Sequence, residues 1–447
     1  MLSAKHTKYL VAVVVFCASP ITVSPAAERT LTVADARRLA VEFNRQYLSS
    51  QEEVIKAGAE VTKARAGAFP SVNVLGNYNR NFDIPSFFVQ AGDETIEFKA
   101  GFKNSYNASL VVDQSIWQGG KVWTAWSIAR DYRKYADASA AQARSEVIYR
   151  SEVLFYGLIL EQSRLVVLQK SYEAASQNLV VVEKQYSQGI VSEFELLRAR
   201  VEKSNLEPEI LQAESDLRLV EKRLKSFLGL ELSDTILVVE DPVDTSLARL
   251  PSLDESLAIA LEKRPEMQEA GHLREISRKA VKIARAGYWP SLSAQARYDW
   301  QSQSDDFTLH ENISKTWSAG LSLQIPVFNG GLTRGEVTQA LADHRVAMLH
   351  ESQVRDDVRL EVEGAHDRVV QARQALEVQR NTIAQAEEGL RIANLRYESG
   401  VGTLLEVLSA QAALTQARRI EAEAKFAFRR ARAGLKLATT VDLDELK

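Results

Sequence analysis

The sequence predicts a mainly helical chain of two structural repeats, each of which also contributes a pair of strands to a transmembrane β-barrel. Three observations lead to this prediction. A set of motifs occurs twice in the same order, the segments beside these motifs alternate between apolar and polar residues, and long stretches contain no proline. Alternation with a period of two is typical of strands, whereas proline-free stretches rich in Ala, Leu, Glu and Arg are typical of long helices.

The first residues of the chain have the order of a secretory signal peptide. Lys5 and Lys8 precede the apolar run Tyr9–Ala18, and small residues follow it. An apolar run of about ten residues is too short to cross a bilayer, so a signal peptide at 1–27 is favoured over a membrane anchor. The only cysteine, Cys17, lies inside this segment. We therefore expect a mature protein without disulfides or thiolate chemistry.

Composition and charge narrow the classes of function. The 447 residues carry a net charge of −4 with basic and acidic side chains interleaved, which gives no reason to expect a nucleic-acid partner. The sequence has no glycine-rich phosphate loop and no nucleophile elbow, and its histidines lack the spacing of metal ligands on a helix. We therefore expect neither an enzyme nor a bound cofactor or metal ion.

Three motifs divide the mature chain into two copies of one unit. Each motif of copy one recurs in copy two: Ala64–Ser71 as Ala284–Ser291, Trp117–Gly120 as Phe328–Gly331, and Tyr186–Gly189 as Tyr397–Gly400. The interval between the first two motifs is longer in copy one, which indicates an insertion in a surface loop at about 79–104, a candidate gate of the outer mouth. We assign repeat one to 28–229, an irregular linker to 230–250 and repeat two to 251–447.

Each repeat begins with a helix that ends at its first motif. Thr32 and Ser252 each precede a carboxylate by three residues, a capping pattern that marks the start of a helix. The helix in each copy then runs to the proline of the motif, where it ends.

Amphipathic segments flank the first two motifs and predict β-hairpins at 71–115 and 291–326. Leu292, Ala294 and Ala296, for example, alternate with polar neighbours. Taken alone, one such hairpin fits a half-buried position on a soluble protein better than a membrane. Strands of about ten residues with aromatic side chains towards both ends favour a membrane-spanning barrel. The predicted membrane-interface aromatics are Tyr78, Tyr106, Trp117, Trp289, Trp300, Trp317 and Phe328.

Four strands are too few for a closed barrel, which needs about eight, and an open sheet edge is unstable in lipid. The sequence therefore predicts an oligomer. Three protomers would supply twelve strands with their polar faces inward.

Long helical hairpins are predicted at 119–228 and 330–438. The proline-free stretches that begin them would each reach roughly 100 Å as single helices. Each stretch ends at a glycine-containing turn and is followed by a returning helix, and Pro208 is expected to kink or break the first of these. The same features fit a structural coiled-coil rod.

The ordered motifs resemble the TolC-type outer-membrane efflux proteins over essentially the whole mature chain. Besides the Ala-Arg-Ala-Gly-aromatic-Pro-Ser motif, Ile325–Gly331, Arg396–Gly400 and Leu405–Gln411 carry the resemblance. It implies a homotrimer with a twelve-stranded barrel in the outer membrane of a Gram-negative cell, continued by a twelve-helix periplasmic α-barrel.

The resemblance also implies a passive exit duct of a tripartite efflux or type I secretion system. Such a duct opens when a periplasmic adaptor and a proton-driven or ATP-driven inner-membrane pump contact its helix tips. Selection of the substrate, whether drug, metal or protein, belongs mainly to the pump.

The family's adaptor-docking tips correspond to the two helix–helix turns of this chain. The matching residues are Gly189, Ile190, Val191 and Ser192 in one turn and Gly400, Val401, Gly402 and Thr403 in the other. A tight turn alone would explain these glycines.

Three residues match the aperture gate of the family. Tyr397 and Glu195 match a tyrosine–acid hydrogen bond, and Glu406 matches the first of two acidic rings, which would favour cations. A solvated helix face explains Glu406 equally well. The family's second acidic position is occupied here by Ser409. The second hydrogen bond of the family's gate, from an arginine to a threonine, falls here on Gly402 and Phe194 and is lost, so we expect a looser closed state. A periplasmic adaptor or structural coiled-coil protein is the alternative function.

Overall fold

The computed structural model describes residues 29–91, 94–99, 101–240, 251–307 and 313–440. The predicted signal peptide at 1–27 and residues 241–250 of the predicted linker lie outside these ranges. Among the helices in them, none combines the length and the apolar composition that crossing a membrane requires.

Helices dominate the described ranges. They are α1 (Val33–Phe43), α2 (Arg45–Ala66), α3 (Lys121–Ser187), α4 (Glu193–Leu228), α5 (Leu253–Lys263), α6 (Pro265–Arg285), α7 (Leu332–Glu398) and α8 (Leu404–Thr439). The strands are β1 (Arg29–Leu31), β2 (Ser71–Arg80), β3 (Ser86–Ala91), β4 (Glu94–Lys99), β5 (Asn104–Gln118), β6 (Ile236–Val238), β7 (Ser291–Ser304) and β8 (Ser314–Gln324).

One antiparallel sheet contains four strands in the order β2-β5-β7-β8. It consists of the hairpins β2–β5 and β7–β8, joined by the β5–β7 pair. The two hairpins have the same register, since Ser71 lies opposite Asp113 in the first and Ser291 lies opposite Gln324 in the second. Both outer strands, β2 and β8, are exposed along their whole length in the single protomer.

The helix predicted before each hairpin is two helices in the structure. Thr32 and Ser252 cap the first helices, as expected, by accepting hydrogen bonds from the backbone N–H groups of Asp35 and Glu255. The chain then breaks at Asn44, whose side chain caps α2 and donates to the carbonyl oxygen of Phe227 at 3.0 Å. In copy two Pro265 occupies the first position of α6, which proline favours because no N–H is needed there.

The long helices have matched lengths. α3 and α7 contain 67 residues each, and α4 and α8 contain 36 each. At 1.5 Å per residue the longer pair spans about 100 Å. α4 continues through Pro208, so of the two predicted effects the break is wrong and the kink stays a prediction. Ser204, whose carbonyl loses its usual donor, is exposed, so water can replace the missing hydrogen bond.

Two predicted irregular segments contain strands. The linker includes β6, which pairs in parallel with β1, and Leu31 of β1 packs in the core with Phe155 and Leu228. The loop at 79–104 includes the hairpin β3–β4. Neither strand pair was predicted, because three residues are too few to show a period and the loop was interpreted only as an insertion.

Candidate aperture and membrane face

The two helix–helix turns are built alike. Gly189 and Gly400 have φ angles of 73° and 74°, in the left-handed region that favours glycine. Ser192 then caps α4 by accepting a hydrogen bond from the backbone N–H of Glu195, and Thr403 caps α8 in the same way from Glu406. The two caps therefore place the candidate gate carboxylates, Glu195 and Glu406, in the first helical turn of α4 and α8. The dipole of each helix stabilises a negative charge there.

An apolar cluster joins the two turns. We call it the tip cluster; its buried members are Val182, Leu196, Ala199, Leu404 and Leu408, and Val191 and Tyr397 pack against it. It connects α3 and α4 of the first helical hairpin with α8 of the second. Sequence reasoning missed this contact, although Leu404 and Leu408 have the spacing of one helix face.

Tyr397 forms a different hydrogen bond from the predicted one. Its hydroxyl donates to the side-chain oxygen of Gln185 at 2.7 Å, so the predicted bond to Glu195 is wrong. Gln185 lies in the last turn of α3, within reach of the end of α7. Burial raises the pKa of Tyr397, and the negative charge of Glu195 raises it further. Glu195 therefore acts on Tyr397 through its charge.

Glu406 has a counter-ion in its own chain. Nε of Arg396 lies 3.3 Å from its carboxylate, and both side chains are about half exposed. Gly402 occupies the position of the family's arginine, but an arginine at a different position, Arg396, reaches this carboxylate. Gly402 is required by the turn, because a Cβ atom there would lie 2.9 Å from that of Arg396.

The outer surfaces of the turns are apolar. Ile190, Phe194 and Val401 are exposed by 66%, 70% and 72%. Apolar side chains grouped at the end of a helical hairpin are available to a partner protein.

The four-stranded sheet has one apolar face. Val74, Leu110, Tyr298 and Trp317 lie opposite one another across the four strands. Trp317 is 75% exposed in the single protomer. A continuous exposed apolar row across a sheet is the arrangement expected of a surface that faces lipid.

The predicted aromatic residues lie towards the two ends of this face. At one end the rings of Tyr78 and Tyr106 lie 5.0 Å apart, and Trp300 contacts Tyr298 at 4.5 Å. Trp317 of β8 lies near the same end, opposite Tyr298. Trp117, Trp289 and Phe328 are exposed towards the other end.

A β-bulge determines the direction of Trp117. The register of β5 against β7 shifts between Ser115 and Trp117, which lies opposite Leu292. Without the bulge, simple alternation would turn Trp117 to the polar face. The predicted position of Trp117 at the membrane interface therefore requires a bulge that the alternation pattern does not show.

The opposite face of the sheet is polar and hydrogen-bonded across strands. Asp299 accepts hydrogen bonds from Ser109 at 2.5 Å and from Arg297 at 2.7 Å, and Arg297 also donates to Ser109 at 3.0 Å. Within the described ranges, His, Cys, Asp and Glu side chains form no group of three that could hold a metal ion.

A family model described as outer membrane efflux protein matches residues 36–230 and 257–440. The chain belongs to the outer membrane efflux protein family. The resemblance predicted from the repeated motifs is thereby confirmed, and with it the function of an outer-membrane efflux channel in Gram-negative bacteria.

Curated relatives of this outer membrane efflux protein include two that are named as outer membrane proteins. Outer membrane protein TolC of Vibrio cholerae is 21% identical over 402 residues, covering 88% of this chain and 87% of that protein. Outer membrane protein OprJ of Pseudomonas aeruginosa is 23% identical over 393 residues, covering 85% and 78%. A solved structure of CusC has a TM-score of 0.78 at 19% identity and covers 94% of this chain and 95% of that one, which supports the fold.

Proposed function

We propose that the chain forms, as a homotrimer, the passive exit duct of a tripartite efflux or type I secretion system. One observation carries the proposal: an amphipathic sheet leads into two 67-residue helices that end at an apolar tip. Three such sheets would close a twelve-stranded barrel in the outer membrane, and the helices would continue it as a twelve-helix tunnel through the periplasm. Family membership favours this duct over a periplasmic adaptor or a structural coiled coil.

The proposed division into repeats at 28–229 and 251–447 is supported by the matched helix lengths and by the shared hairpin register. If the repeats alternate around the barrel, β8 of one protomer should pair with β2 of the next in the register with which β5 pairs with β7. The β5–β7 pair therefore serves as the template. Val111 lies opposite Arg297 in the template. Their counterparts are Ser322 and Asn77, and both belong to the polar face.

A cysteine pair tests the trimer. Asn77→Cys with Ser322→Cys, in a Cys17→Ala background, should form disulfides that link three chains. Asn77→Cys with Ser318→Cys is the matched control. Ser318 lies four residues before Ser322 on β8, which moves the second cysteine about 13 Å along the strand. A monomer with no cross-link from the first pair would refute the proposed assembly.

We also propose that Tyr397, Glu195 and Glu406 belong to the aperture gate, together with Gln185 and the tip cluster. The two turns, Gly189–Ser192 and Gly400–Thr403, would dock on the adaptor, which acts with the inner-membrane pump. Their exposed apolar side chains support this role. Contact there would separate the helical hairpins by competing for the apolar surface of the tip cluster.

Conductance tests the duct. The purified protein should insert into planar bilayers and show small, mostly closed conductances, because the tip cluster holds the hairpins together. Addition of the matching adaptor should increase the open time, whereas an adaptor variant with a charged tip-contacting surface should not. Failure of the purified trimer to conduct under any condition would contradict the proposal.

A further inference from the structure

A cavity of about 600 Å³ lies between three of the long helices of one protomer. Its walls are formed by Tyr149 of α3, Phe426 of α8 and several alanine residues of α7 and α8. Sites that hold drug-sized ligands measure about 300–1,000 Å³ and are lined mainly by apolar side chains. The size and the lining of this cavity therefore fit a small organic molecule.

Two arginine side chains supply the charge of the cavity. Arg368 of α7 and Arg430 of α8 line it from adjacent helices, and both are exposed. Nε of Arg368 donates to the carbonyl oxygen of Gly364 at 2.8 Å, which fixes the guanidinium and leaves its terminal nitrogen atoms for a ligand. No Asp or Glu side chain is among the described residues that line the cavity, so its charge is positive.

These two arginines differ from their neighbour in sequence. Arg429 is buried and pairs with Glu240 of the linker at 3.1 Å. Among the described residues, neither Arg368 nor Arg430 forms an ion pair with a carboxylate. Two cations that face one cavity without a counter-ion repel each other, and a bound anion would remove that repulsion.

The cavity lies on the face of α8 that also carries Glu406. Ala427 and Gly434, which line the cavity, follow Glu406 by three and four heptads. Positions a whole number of heptads apart point the same way in helices that coil around one another. Because Glu406 belongs to the proposed aperture, the cavity opens on the interior of the proposed duct.

We infer that this cavity binds an amphipathic organic anion, a carboxylate or sulfonate with an apolar body, on its way through the duct. Arg368 and Arg430 hold the anionic head by charge-assisted hydrogen bonds, and Tyr149 and Phe426 contact the apolar body. The trimer sets three such arginine pairs at one level of the tunnel. The position inside the duct rests on the proposed function, whereas the cavity itself is formed by a single protomer.

Binding at this cavity should be weak enough for release. Both arginines are exposed, so water competes for their donors. A ligand of drug-like efficiency and about 14 non-hydrogen atoms should therefore have a dissociation constant of about 0.1–1 mM. Weak binding is what passage requires, because a site on a conduction path must be left as readily as it is entered.

A matched pair of ligands tests the chemistry of the site. The purified protein in a neutral detergent is titrated with naphthalenesulfonate, and binding is measured by ligand-detected NMR with empty micelles subtracted. Naphthalenesulfonamide has the same apolar body without the charge and should bind about tenfold more weakly. Equal binding of the two compounds, or no binding of either at millimolar concentration, would overturn the inference.

Substitutions locate the site. Arg368→Gln and Arg430→Gln should each weaken binding of the sulfonate about tenfold. Arg373→Gln is the matched control, because this side chain of α7 pairs with Glu377 at 3.1 Å and does not line the cavity. Ala427→Leu fills the cavity, leaves both charges in place and should abolish binding. Unchanged binding in Ala427→Leu would mean that the anion is held by surface charge alone, which also overturns the inference.

Channel block separates this inference from the proposed duct. In planar bilayers the sulfonate should reduce the open-channel current of the parent, and the double variant of Arg368 and Arg430 should resist it. A conducting trimer that binds the sulfonate without block would place the cavity outside the ion path and overturn the inference, while the duct stands. Sulfonate binding by a protein that neither forms trimers nor conducts would refute the duct and, with it, the passage of the anion.

Discussion

At the scale of single residues, the proposed gate contains one neutral hydrogen bond, one nearby charge and a set of apolar contacts. The hydrogen bond joins Tyr397 to Gln185, and the charge belongs to Glu195. A neutral hydrogen bond contributes about 1 kcal/mol, whereas burial of a leucine contributes about 2–3 kcal/mol. In the proposed gate, the tip cluster would therefore supply the larger part of the free energy that opposes opening.

Removing the Tyr397 hydroxyl should loosen the tip modestly. Tyr397→Phe is expected to shift the equilibrium between closed and open forms by about 1 kcal/mol, roughly fivefold. Gln185→Leu should have a similar effect and Glu195→Gln a smaller one, since Glu195 is not the hydrogen-bond partner. Open probability in planar bilayers measures this. Tyr186→Phe, the exposed counterpart in copy one, is the control, and an effect of Tyr186→Phe equal to that of Tyr397→Phe would argue against the assignment.

Glu269 makes the stability of the helical region depend on pH. Burial, and then the charge of Glu266, raises the pKa of Glu269 to about 7, and one of its carboxylate oxygens has no hydrogen-bond partner. The folded chain therefore retains this proton to a higher pH than the unfolded chain does. The contribution of the protonated Glu269 side chain to the stability of the folded chain is complete below the ordinary pKa of 4.5. It is lost as the pH rises through the folded-state pKa of about 7.

A variant without this charge should be more stable at high pH. Glu269→Gln is expected to melt at a higher temperature than the parent at pH 8, and the difference should shrink at pH 5. Thermal denaturation at both values measures it, with the exposed Glu262→Gln as control. An unchanged melting temperature at pH 8 would show that Glu269 is already solvated.

At the scale of elements, the junctions between strands and long helices are equivalent in backbone but not in packing. Gly119 and Gly330 occupy the same position in the two copies, with φ angles of 59° and 64°. A Cβ atom at Gly119 would lie 2.9 Å from the carbonyl oxygen of Ala286 and 3.0 Å from Cβ of Trp289, whereas Gly330 has open space around it. The junction in copy one is therefore packed against the motif of copy two.

The two glycines should respond differently to alanine. Gly119→Ala should destabilise the protein by about 1–3 kcal/mol more than Gly330→Ala, because overpacking adds to the strain of a positive φ angle. Thermal denaturation of the two variants gives the difference. Equal losses would mean that the backbone angle alone accounts for the cost.

At the scale of the whole molecule, the proposed trimer brings three copies of Glu406 and three of Arg396 around one axis. Because each carboxylate is paired with an arginine 3.3 Å away, the ring carries less net negative charge than three free carboxylates would. The aperture should therefore discriminate between cations and anions only weakly.

Removal of the Arg396 charge and removal of the Glu406 charge should shift the ion selectivity of the aperture in opposite directions. Arg396→Gln is expected to increase the preference for cations, and Glu406→Gln to reduce or reverse it. The reversal potential in a potassium chloride gradient measures the change. Arg391→Gln, on the same helix but paired with Glu388, is the control. A reversal potential that none of these substitutions alters would mean that Glu406 lies on a solvated face away from the ion path.

Much of the local structure could be predicted from the sequence. Alternation at Leu292, Ala294 and Ala296 predicted a strand, and the absence of proline predicted the long helices. The break at Asn44 was missed, because it depends on a hydrogen bond to Phe227, far along the chain. The sequence left open whether Pro208 breaks or kinks α4, and the helix continues because water can satisfy an exposed carbonyl group that would be costly to leave unpaired in a core.

The sequence by itself predicted the export signal, and it determined the two-copy order of motifs, the amphipathic strands and the family to which the chain belongs. These follow from period, spacing and composition, which are properties of short segments. Only the tertiary structure decided that Tyr397 bonds Gln185, that Arg396 pairs with Glu406, and that a bulge turns Trp117 to the apolar face. Each of these outcomes depends on a one-residue register or on the packing of separate elements, and a shift of one residue changes which side chains meet.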